Sequence, residues 1–76
     1  MISRNARSVQ LGDRFVKNGD PYGRIWVVIR VWTTIDGLLH ARMENNDRQH
    51  ETRIISVSAL VDDHFFTSAP VIAGGE

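Results

Sequence analysis

The densest apolar run in the chain is Ile25-Trp26-Val27-Val28-Ile29-Arg30-Val31-Trp32, broken by a single arginine. Seven of these eight residues are β-branched or aromatic, types that fit a pleated, extended backbone, so the run reads as the central strand. Ahead of it, Leu11-Gly12-Asp13-Arg14-Phe15-Val16 reads as the first strand, with Phe15 as its core anchor. Between them, Lys17-Asn18-Gly19-Asp20-Pro21-Tyr22-Gly23 is dense in turn formers and reads as a loop.

Two hairpins follow, and loop length sets which face of each strand is apolar. A two-residue Asp36-Gly37 turn would oppose Trp32 with Ala41 and Arg30 with Met43. A three-residue loop, Ile35-Asp36-Gly37 with Gly37 left-handed, opposes Val31 with Ala41 and Ile29 with Met43. The second keeps Arg30 out of the core and is the expected pairing. In the next hairpin, a four-residue loop Asn45-Asn46-Asp47-Arg48 puts Leu39 with Ile54, Ala41 with Thr52 and Met43 with His50 on a mostly apolar face. The opposite face then holds His40 with Arg53, Arg42 with Glu51 and Glu44 with Gln49, the pattern of a half-buried antiparallel sheet. Ser56 or Ser58 can cap one helical turn, and His64-Phe65-Phe66-Thr67 reads as a last short strand. The expected core is Phe15, Ile29, Val31, Leu39, Ile54 and Phe65.

These elements predict an all-β domain: a small five-stranded barrel over residues 11–67 with one short helical turn before the last strand. Residues 1–10 read as a flexible arm and 68–76 as a disordered tail. The pattern Gly12-Asp13-Arg14-Phe15, then Gly23-x-x-Trp26-x-Val28-x-x-Val31, then Ser58-x-Leu60 and Phe65-Phe66 resembles SH3-like small barrels. More closely, it is similar to short uncharacterised proteins of proteobacteria and their phages. The resemblance implies a fold, and a task of binding peptides, nucleic acids or proteins rather than catalysis. Its phage side suits a small accessory or inhibitory protein.

Composition narrows the setting. The 76 residues contain no cysteine, so neither disulfides nor thiolate zinc sites reinforce a core this small. No apolar run approaches the ~20 residues that cross a bilayer, and no signal-peptide pattern opens the chain. A cytoplasmic protein without membrane contact is expected. Net charge is zero but uneven: residues 1–33 carry six basic groups and two acids, residues 34–76 three and seven.

No nucleophile constellation, phosphate-loop pattern or enclosed pocket is legible, so no enzyme, cofactor or small-molecule substrate is expected. His64 beside Asp62-Asp63 is the nearest approach to a metal site and reads as solvated turn residues. The expected register instead turns Trp26, Val28, Arg30 and Trp32 outward, near His40, Arg42 and Arg53. Trp and Arg are the side chains most enriched in binding hot spots, so Arg30, Trp32, His40, Arg42 and Arg53 are the candidate face for a protein partner, a second copy of the chain included. A bulge near Val28 would instead turn Trp26 inward. The alternative function is nucleic-acid binding by the basic first half, with Arg14, Lys17 and Arg24 on phosphates and Tyr22 for stacking.

Overall fold

A computed structural model describes residues 9–69; of the expected arm (1–10) and tail (68–76), residues 1–8 and 70–76 lie outside them, while Val9 packs against the core and Ser68 and Ala69 belong to the last strand. Among the described residues, five antiparallel strands form one sheet: β1 (Arg14–Lys17), β2 (Ile25–Thr33), β3 (Leu39–Asn45), β4 (Thr52–Ser56) and β5 (Phe66–Ala69). A single helical turn, α1 (Val57–Leu60), joins β4 to β5. The strand order is β4-β3-β2-β1-β5. The domain is all-β, as its pattern predicts. No ladder joins the edge strands β4 and β5, so the sheet is open rather than closed into the expected barrel.

The β2–β3 turn follows the three-residue loop. Gly37 has φ +87°, and its N–H donates to the Thr34 carbonyl. That left-handed conformation is open to glycine at little cost. Val31 accordingly pairs with Ala41 and Trp32 with His40.

Further down β2 the expectation fails at one residue. A bulge between Val28 and Arg30 brings Val28, not Ile29, opposite Met43. The extra residue shifts the alternation by one, so Trp26 turns inward, the outcome the bulge reading anticipated, and Val28 with it. Val28 is 1% exposed and Ile29 39%. Backbone bonds explain why the bend falls here: Val28 N–H donates to the Asp13 carbonyl, and Gly12 N–H donates to the Val28 carbonyl. Before the bulge β2 pairs with both β1 and β3; beyond Val28 its ladder is with β3 alone.

The β3–β4 hairpin is also offset. Ala41 pairs with Ile55, Arg42 with Ile54 and Met43 with Arg53, three residues away from the four-loop register. An odd offset exchanges the faces of β4, so Ile54 is exposed and Arg53 points to the inner side. The cause is Asn45. It stays in β3 with its side chain buried, donating from Nδ2 to Glu51 and accepting the Asp47 N–H at Oδ1. Its own N–H donates to the Glu51 carbonyl, which closes a longer loop.

The core gathers Phe15, Trp26, Val28, Ala41, Met43 and Phe66 from the sheet with Val57 and Leu60 from α1. Ser56 caps α1 by accepting the Ala59 N–H. At the last strand Phe66 is buried (4% exposed) and Phe65 is not (53%), because the Phe65 and Phe66 N–H groups both donate to the Asp62 carbonyl in a turn that delays β5 by two residues. Of the expected core, Phe15 is buried and Val31 packs against the cluster; Ile29, Leu39, Ile54 and Phe65 are exposed.

Candidate functional site

Alternation on β2 and β3 separates two groups of sequence-predicted site residues. With Val31 and Ala41 facing inward, Arg30, Trp32, His40 and Arg42 share the outer face, where Arg30 pairs across from Arg42 and Trp32 from His40. The Arg30 guanidinium lies 4.9 Å from the centroid of the Trp32 ring. Trp32 in turn stacks on His40, with centroids 6.1 Å apart and planes 29° from parallel. The result is an Arg–Trp–His ladder along one surface. Among the described residues no acid lies within ion-pairing distance of Arg30 or Arg42. Two like charges facing each other across a ladder oppose sheet formation, and both arginines are exposed, so water alone screens them. Exposed Ile54 adjoins Arg42 on β4 and gives this cationic surface an apolar border.

Arg53 does not belong to that face. The offset β4 register points it inward, where its guanidinium lies 5.2 Å from the Trp26 ring centroid. There it joins Lys17 and Arg24, from the basic set, around a cleft of about 240 Å³ beside the β1–β2 loop. Within that loop Asp20 is the organiser. Its carboxylate accepts the Tyr22 and Arg24 backbone N–H groups and a two-pronged contact from the Arg24 guanidinium, Nε to Oδ2 at 3.1 Å and Nη2 to Oδ1 at 3.2 Å. The Arg24 contact, then the Tyr22 N–H, hold the Asp20 carboxyl down at about 2. Asp20 raises Arg24 in return. Arg24 also lies 5.2 Å over the Tyr22 ring, which is 79% exposed.

Arg14 stands apart from this basic set. It pairs with Val27 and Ala69, and its Nε is covered with no hydrogen-bond partner among the described residues. His50 sits in the β3–β4 loop rather than opposite Met43. His64 serves a turn: its N–H donates to the Asp62 carboxylate, and its Nδ1 lies 3.0 Å from the same oxygen. These bonds lower the Asp62 carboxyl. Among the described residues no cluster of three or more metal-ligating side chains occurs, and no helix is long and apolar enough to cross a membrane.

Sequence reasoning overlooked the cleft, because its parts come from separate strands and Arg53 reaches it only through the β4 offset. Asp20-Pro21 followed by Arg24 was the one local signal, since Asp at the start of a turn binds the N–H groups that follow. No family model, curated protein or solved structure matches this chain.

Proposed function

We propose that this chain is a non-enzymatic binding module that engages a protein partner through Arg30, Trp32, His40 and Arg42. The observation that carries this reading is the Arg30–Trp32–His40 stack with Arg42 at its side. Stacking orders the long arginine and the indole in advance, which reduces the side-chain entropy lost on association. Two arginines without an ion-pair partner favour carboxylates on the partner, and Ile54 supplies an apolar margin. The sheet order and the single helical turn between β4 and β5 support the resemblance to SH3-like small barrels, a class that works by binding.

The test is the double variant Arg30→Ser/Trp32→Thr. Its melting temperature stays near the wild-type value, because surface changes cost within about 0.5 kcal/mol. Affinity for a purified partner, first identified by capture and mass spectrometry, falls by at least about 30-fold, the loss of one hot spot of about 2 kcal/mol. A stable double variant that binds the partner as the wild type does sinks the reading. Sedimentation velocity over a concentration series shows whether the partner is a second copy.

A further inference from the structure

We propose that the cleft between the β1–β2 loop and β4 binds a phosphodiester of single-stranded nucleic acid, with a neighbouring base stacked on Tyr22. This site is separate from the outer Arg–Trp–His face and uses different residues.

The charge balance of the cleft comes first. Its ionisable lining is Lys17, Arg24, Arg53 and Asp20. Asp20 is already matched by Arg24 through a two-pronged ion pair, so the two cancel. Lys17 and Arg53 remain, neither with an ion-pair or side-chain hydrogen-bond partner among the described residues. The cleft therefore offers two uncommitted cations to one anion.

Geometry then narrows the ligand. The Arg53 guanidinium carbon lies 5.2 Å from the Trp26 ring centroid. Its planar fork of N–H donors suits phosphate oxygens. The cleft, of about 240 Å³, has room for a phosphate group. Tyr22 supplies the second half of the contact: its ring is exposed and Arg24 lies over it, a platform on which any base can stack. Tyr22 does not line the phosphate cleft itself; with Arg24 it lines an adjoining cleft of about 310 Å³ that also includes Asp47 and Glu51, with Arg48 paired to Glu51 at 3.8 Å. Those acids repel a continuing phosphate chain. The footprint is short, and duplex DNA, with its bases unavailable for stacking, is excluded.

Fluorescence anisotropy of labelled oligo-dT and oligo-U at low salt tests the site. Wild-type protein binds, and log affinity falls against log salt with a slope of about −0.7, for one neutralised phosphate on a single strand. Lys17→Glu weakens binding at least about tenfold and flattens the slope, as loss of one phosphate contact requires. Tyr22→Ala weakens it about tenfold and leaves the slope unchanged, because stacking carries no counterion release. Both positions are exposed, and melting temperatures check that each variant remains folded. Arg30→Ser/Trp32→Thr binds the oligonucleotide as wild type does, which separates this site from the protein-binding face. Absence of wild-type binding at low salt overturns the proposal. So does wild-type affinity in either Lys17→Glu or Tyr22→Ala. A polyglutamate peptide that binds as tightly as the oligonucleotide overturns the assignment to nucleic acid.

Discussion

Asp20 and Asn45 are both turn-forming residues by type, yet each organises structure well beyond its own turn. Asn45 is buried and spends its amide on Glu51 and Asp47, so the loop after β3 is built around a satisfied polar group inside the fold. Asp20 works through charge. Its carboxyl lies at about 2 rather than the ordinary 3.8, so the folded state favours the ionised form. That contribution to stability is fully present above pH 3.8 and disappears as the pH falls through about 2. Asp20→Asn therefore melts below the wild type at neutral pH, and the gap closes as the pH is lowered toward 2. Thermal melts along a pH series measure it. A gap that persists at the acid end would mean that Asp20 acts through shape rather than through its ionised bonds to Arg24 and Tyr22.

At the scale of the element, the bulge in β2 decides which residues are core and which are site. One inserted residue moves Ile29 to the surface and brings Trp26 and Val28 inside, while the strand beyond it keeps Arg30 and Trp32 outward. Without the bulge, Trp26 could not form the floor of the cleft beside Arg53. Adjacent alanine variants test this directly. Val28→Ala costs about 2 kcal/mol, from two buried methyl groups and the cavity they leave. Ile29→Ala costs less than about 1 kcal/mol, since its side chain is already partly in water. Urea denaturation ranks them, and the opposite order would place the extra residue elsewhere in the strand.

For the molecule as a whole, a single core must hold an open sheet whose two edge strands are unpaired with each other. The turn α1 compensates by delivering Val57 and Leu60 to the inner side, where both are buried. A chain of this size has roughly 0.05–0.15 kcal/mol of stability per residue. Leu60→Ala, at about 2–5 kcal/mol, thus removes a large part of the total. The expected result is a chain mostly unfolded near physiological temperature, with far-ultraviolet and near-ultraviolet dichroism lost together. Retained tertiary dichroism in that variant would show that the sheet holds its core without the helical plug. The same economy shapes the surface: with one layer of sheet, its outer side carries the Arg–Trp–His ladder and the rim of its inner side carries the cationic cleft.

Local chemistry was legible in the sequence by itself. Runs of β-branched and aromatic residues marked the central strand, Asp36-Gly37 marked a tight turn whose three-residue form is preferred because it keeps Arg30 out of the core, and a serine marked the start of the helical turn. Each of these is decided within a few residues, by backbone sterics and one or two hydrogen bonds. Face assignment was not local. Side chains alternate with a period of two, so a single extra residue at Ile29 exchanges inside for outside along the half of β2 before it, and an Asn45 held in β3 does the same along β4. Tertiary packing made those choices, through the burial of Trp26 against its neighbours in the core and the hydrogen bonding of Asn45. Arg53 shows the consequence: its residue type marked it for binding, but only the register of β4 decided that it faces Trp26 and Lys17 instead of Arg30 and Trp32.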